Sequence, residues 1–228
     1  ISIQPTMWSR IVRKLNFLKL KSGVLPYTRF EGKFARIAAE EIDIASQKLK
    51  PFYDDYIAHV SRADMAMSLE LASFVYALCV KKEVKNVLDL GSGFSSFVYR
   101  LYASEHKGVT VVSVDDDSQW IEKTREYLRK HSLSEAGLLT LKQFLQEPNR
   151  KFDCVLHDLN FVEVRINYLQ QVLEATAKTG VLILDDVHKP DYLYQVLDKL
   201  KKKPVSVYDL KPVTYDSFNR YAVAVLPE

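Results

Sequence analysis

A chain of 228 residues with 47% hydrophobic and 27% charged residues has the composition of a folded globular protein with a large core, which excludes disordered and fibrous classes. Its apolar stretches, such as Leu69 to Val80, are broken by Glu70, Ser73 and Tyr76 and are too short to cross a bilayer. The net charge of +3 is local, because residues 1 to 24 hold Arg10, Arg13, Lys14, Lys19 and Lys21 with no acid and the remainder sums to −2.

From Thr6 to about Leu20, the apolar residues Trp8, Ile11, Val12, Leu15 and Leu18 recur at helical spacing, with Arg10, Arg13, Lys14 and Lys21 largely elsewhere. The segment reads as a basic amphipathic helix whose apolar face is open to its own domain, to a second subunit in a homodimer, or to a membrane surface. Lys33 to Lys50 reads as a second helix stopped by Pro51, and "SLELASFVYALCVKK" as a third with Ser68 as N-cap. Residues 1–80 are therefore expected to form a helical cap, in which Tyr53, Tyr56, His59 and Arg62 are candidates to line a pocket. Cys79 and Cys154 each lie in an apolar run, so they read as buried free thiols of a cytoplasmic protein; no signal peptide is visible.

Beyond Lys85 the pattern changes to short apolar runs alternating with amphipathic helices: "NVLDL", "FSSFVYRLYASEH", "VTVVSV", "SQWIEKTREYLRKH", "LLTL", "FDCVLH", "VRINYLQQVLEATAK" and "GVLILDD". That alternation defines βαβ units, hence a doubly wound, mostly parallel sheet with helices on both faces. The tail runs "VSVYDL" and "RYAVAVL" are joined by a loop without a helix and should pair antiparallel. The fold class is thus α/β, with seven strands, an antiparallel last strand and residues 81–228 as one domain.

In such a sheet ligands bind beyond the carboxyl ends of the strands. The first run ends in Asp89-Leu90-Gly91-Ser92-Gly93 and leads into a helix, placing two of the seven glycines in a strand-to-helix turn. Glycine there permits a tight turn and a close ligand approach beside helix N-terminal amides. A dinucleotide fingerprint would want a third glycine where this chain has Ser96, and it gives no role to Asp89, which repels phosphate but suits a ligand bearing ammonium and sulfonium groups. The second run ends "VVSVDDD", with Asp115 twenty-two residues after Gly93, where a carboxylate can accept hydrogen bonds from ribose hydroxyls.

On "VLDLGSG", "VVSVDDD", "GVLILDD" and the antiparallel tail, the sequence resembles the class I S-adenosylmethionine-dependent methyltransferases, with their Rossmann-like fold. The resemblance implies S-adenosylmethionine as cofactor, with Asp89, Gly91, Ser92, Gly93 and Ser95 at its methionine end and Asp115 and Asp116 at its ribose. The loop after the third run lacks the family's usual acid, leaving Gln143 and Phe144 as candidates for the adenine end. The "MAMSLELASF" stretch is similar to the segment before the first strand in small-molecule O-methyltransferases, which makes Ser68 and Glu70 cofactor candidates alongside their readings as an N-cap and a solvated acid.

Asp158 after "FDCVLH" and the pair Asp185-Asp186 after "GVLIL" resemble the carboxylates of the catechol-type, metal-dependent O-methyltransferases. That resemblance implies Mg²⁺ or another divalent cation held by these three, orienting a hydroxyl and lowering its pKa. Acids at these strand ends equally bind the acceptor directly in metal-free methyltransferases, and Asp158 then faces the cofactor. The family's lysine base, three residues after the first Asp, is Phe161 here. His188, Lys189 and His157 stand near the same rim as candidate bases. The expected function is O-methylation of a small molecule. Methylation of a protein or nucleic acid, aminopropyl transfer and a catalytically silent module are the alternatives; nucleic acid is disfavoured by "HDLNF" after the fourth run and by a basic excess confined to one helix.

Overall fold

The computed structural model describes residues 7–34, 36–146 and 149–228. The chain opens with α1 (Met7–Lys21), the two-residue strand β1 (Leu25–Pro26), α2 (Tyr27–Phe34), α3 (Ala39–His59) and α4 (Leu69–Lys82). The alternation follows: β2 (Asn86–Leu90), α5 (Phe94–Glu105), β3 (Thr110–Asp115), α6 (Ser118–Lys130), β4 (Leu138–Thr140), α7 (Leu141–Phe144), β5 (Phe152–His157), α8 (Val162–Ala175) and β6 (Thr176–Leu184). The chain closes with α9 (Pro190–Leu200), β7 (Val205–Asp209), α10 (Lys211–Thr214) and β8 (Val223–Pro227).

The strands form one sheet in the order β1-β7-β8-β6-β5-β2-β3-β4. Every pairing is parallel except those of β8, which runs antiparallel to both β6 and β7. The seven expected strands are β2 to β8. β1 adds an eighth at the edge, pairing Leu25 with Tyr208; two residues ending in proline carry no strand periodicity to read, and proline at an edge costs no ladder bond.

Two apolar layers cover the sheet. One packs α2, α3, α4, α5 and α6 against it around Phe30, Tyr56, Phe74, Phe97 and Tyr127. The other packs α8 and α9 around Ile166, Leu169, Tyr192 and Val196. α4 is buried continuously from Leu71 to Cys79, so this helix is a layer of the same core as the sheet. Cys79 and Cys154 are free and buried.

Three local expectations are corrected. Pro51 does not stop a helix: α3 runs through it, because Pro51 is exposed and the carbonyl deprived of its partner faces water. The helix starts at Ala39, where the Glu41 carboxylate accepts the Ala38 amide at 2.7 Å, and Lys33 belongs to α2. A four-residue helix, α10, interrupts the tail loop. Ser68 caps α4 as expected, its hydroxyl accepting from the Leu71 amide at 3.2 Å. No helix among the described residues is long and apolar enough to cross a membrane.

Candidate active site

The parallel strands β2, β3, β5 and β6 all end at one edge, and there the backbone is crowded. The Asp158 amide donates to the Leu90 carbonyl at 2.7 Å and the Gly91 amide to the Val114 carbonyl at 2.8 Å. Gly91 has φ +103°, and a Cβ on it would lie 2.4 Å from the Asp158 carbonyl oxygen. Glycine is required at this position, and the atoms that require it belong to the neighbouring strand end rather than to a ligand. Gly93 has φ +153° and is overhung by the Tyr56 hydroxyl and the Trp120 indole.

Asp115, at the end of β3, ties into this turn. Its Oδ2 accepts from the Ser92 amide at 2.8 Å and the Ser92 hydroxyl at 3.1 Å, and its Oδ1 accepts from the Asp117 amide at 2.9 Å. Each carboxylate oxygen has two lone-pair directions, so Oδ1 keeps acceptor capacity. The Trp120 Nε1–H donates to the Ser92 carbonyl. Asp89 lies beneath, fully buried: its Oδ2 accepts from the Ser96 hydroxyl at 2.5 Å, while among the described residues its Oδ1 has no partner. Burial raises the Asp89 and Asp115 carboxyls above their ordinary range.

These groups floor a cleft of about 610 Å³ whose lining includes Gly91, Ser92, Asp115, Trp120, Asp158, Arg165, Asp185, Asp186, Lys189 and Arg220. It carries seven carboxylates against three basic side chains, an acidic field that attracts cations and repels phosphate. A second cavity, of about 500 Å³, is lined by Asp116, Thr140, Leu141 and Tyr168. The Asn160 side-chain amide donates to both Asp116 oxygens, at 3.0 and 2.9 Å, joining the loop after β5 to the loop after β3. Asn160 and Asp186 hold φ of +39° and +61°, a left-handed backbone that Asn and Asp tolerate best among non-glycine residues.

The ends of β5 and β6 bring Asp158, Asp185 and Asp186 to one rim, but a side chain of α8 stands among them. Arg165 ion-pairs with Asp158 at 2.5 Å and with Asp186 at 3.4 Å, and its guanidinium also donates to the Leu159 and Asn160 carbonyls at 3.2 and 3.0 Å. Burial raises Asp158 to about 6 against the opposing pull of Arg165, with Asp186 adding to the rise. Burial and then the charges of Asp158 and Asp186 raise Asp185. Burial would lift Asp186 too, but the Lys189 hydrogen bond and Arg165 hold it below its ordinary value. A fixed cation thus already neutralises this carboxylate set. Among the described residues no group of three or more His, Cys, Asp or Glu is arranged to hold a metal ion, so the expected divalent-cation site at Asp158, Asp185 and Asp186 does not fit the residues present.

Gly91, Ser92, Asp115, Asp158, Asp185, Asp186 and Lys189 line the main cleft, and Asp116 lines its neighbour. Other expectations are corrected by local packing. His157 is buried, with Nε2 against the Arg165 carbonyl at 2.9 Å, and burial pushes it down to about 4; it lies under the rim and does not reach the cleft. Gln143 closes the capping box of α7, accepting the Thr140 amide at 2.8 Å, and Phe144 packs into the core. Ser68 is spent on its cap, Glu70 is exposed, and the Ser95 hydroxyl donates to the Gly91 carbonyl at 3.2 Å. Of the cap residues, Tyr56 is buried over Gly93, Tyr53 packs edge-on against Phe94, and His59 and Arg62 pair at the surface with Asp55 and Asp64. His188 lies between the cleft residues Asp186 and Lys189 in sequence but is not itself in the lining; its Nδ1 is 3.6 Å from Asp186 Oδ1, and burial lowers its pKa despite that carboxylate.

The sequence reading missed Trp120, Asn160, Arg165 and Arg220. Arg165 had a legible signal, since it falls on the face of α8 shared by Ile166, Leu169 and Val172, and a charge on an apolar stripe needs a buried partner. Arg220 had none: its guanidinium donates to the carbonyls of Ala63, Asp64 and Ala66, contacts between segments far apart in sequence.

A doubly wound sheet with a glycine turn after β2 and a carboxylate after β3 is the arrangement expected from the resemblance to class I S-adenosylmethionine-dependent methyltransferases. A family model described as a methyltransferase domain matches residues 81–219, more than half of the chain, and the protein belongs to that family. No curated protein matches the sequence. Among solved structures, the chain is similar to an O-methyltransferase from Bacillus cereus in complex with SAH, at 16% identity over 79% of this chain and 89% of that one, TM-score 0.61. It is similar to the O-methyltransferase TomG from Streptomyces achromogenes, in complex with SAM, at 15% identity over 88% and 95%, TM-score 0.58. The SAH-bound Podospora anserina methyltransferase PaMTH1 matches at 14% identity over 100% and 99%, TM-score 0.56. At these identities the likeness is one of fold.

Proposed function

We propose that this enzyme transfers the methyl group of S-adenosylmethionine to a hydroxyl of a small molecule held in the acidic cleft. The observation that carries the reading is Asp115 joined to the Ser92 amide across the Gly91 turn, with the carboxylates of β5 and β6 facing it over one cleft. When bound, the cofactor supplies an electrophilic methyl on a sulfonium. Asp115 would accept the ribose hydroxyls with its spare lone pairs, and Asp116, Leu141 and Tyr168 would border the adenine. The acid excess of the lining suits the positive charge of the methionine end.

On the acceptor side, Arg165 would do what fixed positive charge does at a developing oxyanion: stabilise it without reorganisation. Asp186 and Lys189 would hold the acceptor's polar groups. His188, kept neutral by burial, is the base best matched to removing the hydroxyl proton; Lys189 is committed to Asp186 at 2.9 Å. No step is routed through a divalent cation. O-methyltransferase neighbours and a lining that repels phosphate support a small-molecule acceptor over nucleic acid.

The test is calorimetric titration with S-adenosylmethionine and S-adenosylhomocysteine, followed by mass-spectrometric screening of hydroxylated small molecules with Mg²⁺ and with chelator. Binding of both ligands and chelator-insensitive O-methyl products are expected. Absence of binding would overturn the assignment.

A further inference from the structure

The acidic cleft leaves one prominent feature without a role. α1 docks on α9 through Phe17, whose ring lies 6.4 Å from that of Tyr194, through Arg13, ion-paired with Asp191 at 2.7 Å, and through Leu20. The residues opposite that docked face are apolar apart from Lys19. Met7, Trp8, Ile11, Val12, Leu15 and Leu18 are all exposed, Trp8 at 73% and Leu15 at 60%. At 3.6 residues per turn they fall within an arc of about 140° centred opposite Phe17 and Leu20. The helix is therefore apolar on both sides, and the described residues of its own domain cover only one.

The charges around the uncovered arc identify what fits it. Lys14, Lys19 and Lys21 are exposed on the same helix, which bears no acid. Lys19 also lines a cavity of about 650 Å³ with Lys201, Lys202 and Lys203 at the end of α9. Asp198 is the one acid in that lining and pairs with Lys201. A second copy of α1 laid on the first would set the same basic helix against itself, whereas an anionic surface with an apolar interior complements both features.

We propose that α1 and the lysine end of α9 dock this enzyme on an anionic phospholipid bilayer, with the Trp8–Leu15 face entering the headgroup boundary and the lysines meeting lipid phosphates. The helix lies in the interface and does not span it, consistent with its fifteen residues and its charge. Arg13 meets Asp191, two residues from the cleft residue Lys189, on the face of α1 that docks on α9.

The experiment is flotation of the full chain with vesicles of equal parts phosphatidylcholine and phosphatidylglycerol, against vesicles of phosphatidylcholine alone. Binding to the mixed vesicles and its loss in high salt are expected. Leu15→Glu, and separately the pair Lys19→Glu with Lys202→Glu, should each lower the partition about tenfold, with affinity for S-adenosylmethionine unchanged. In a Trp120→Phe background, Trp8 emission should shift to the blue on the mixed vesicles. A chain that stays in buffer, or variants that bind like the parent, would overturn the proposal. So would a concentration-dependent dimer dissolved by Leu15→Glu, which would give the face to a second copy.

Discussion

The two halves of the cleft are built on different principles. At the ends of β2 and β3 the backbone does the work: Gly91 is pinned against the Asp158 carbonyl, Ser92 presents its amide, and Asp115 accepts from it. At the ends of β5 and β6 the work is done by charged side chains, three carboxylates of which two, Asp158 and Asp186, pair with a guanidinium from α8. The first half tolerates little change because the main chain cannot move without dragging two strands. The second can be retuned one side chain at a time, and Arg165 shows such retuning, a fixed cation standing within a carboxylate set that resembles a metal site.

The largest effect should come from breaking the backbone half. Gly91→Ala places a methyl 2.4 Å from a carbonyl oxygen at φ +103°, so both strand ends must shift. A loss of about 5 kcal/mol or more, read by thermal or urea unfolding, is expected, together with loss of cofactor binding. A stable Gly91→Ala protein would show that the turn relaxes freely and that the contrast between the halves is false.

Arg165→Ala attacks the side-chain half. It leaves the half-buried Asp158 without its partner and should cost about 1–3 kcal/mol near neutral pH. The pH dependence has a definite sign. Asp158 is raised by burial to about 6, above the unfolded value near 4, so it binds its proton more tightly folded than unfolded. Its contribution to stability is complete at low pH and falls as pH rises through about 6. Removing Arg165 should steepen that fall, and Asp158→Asn in the same chain should flatten it. With the guanidinium gone the carboxylates are free for a cation, so Mg²⁺ should raise the melting temperature of Arg165→Ala and leave the parent unchanged. An equal response in both proteins would show that Arg165 does not block a metal.

Asp115→Ala should weaken S-adenosylmethionine binding by about 1.5–3 kcal/mol, the value of a set of charge-assisted hydrogen bonds, measured by calorimetry. Unchanged affinity would move the ribose contact to Asp116, which lines the adjoining cavity.

The same contrast explains what the sequence disclosed. "VLDLGSG" was legible because backbone geometry restricts residue identity: few side chains fit beside Asp158, so glycine marks the turn. Asp115 was legible by its place at a strand end. Arg165 was overlooked although the apolar stripe of α8 marked it; Arg220 was not legible, since a long side chain acts far from its own backbone and its target is set by packing between distant segments. Gln143 misled for the opposite reason, its polarity being consumed three residues away in a helix cap. The carboxylates Asp158, Asp185 and Asp186 converge on one cleft, but their partner Arg165 was not foreseen, and the partner decides whether such a cluster can take a metal.

The smallest predicted effect is at the seam between the halves. Trp120 lines the cleft from α6, and its indole N–H donates to the Ser92 carbonyl. Trp120→Phe keeps an aromatic face and deletes that donor, leaving a carbonyl in a part-buried site short of one bond, a cost of about 1 kcal/mol. The cost is held down because the Ser92 amide and hydroxyl remain anchored to Asp115 at 2.8 and 3.1 Å, so the turn keeps its other fastenings. Thermal stability should fall by about that amount, and cofactor affinity by about fivefold in calorimetry as the loosened turn holds Asp115 less firmly. A loss of affinity as large as that of Asp115→Ala would mean that the indole itself packs on the cofactor. A loss of stability without loss of affinity would mean that Trp120 only braces the turn, and that the backbone half of the cleft holds its ligand without help from α6.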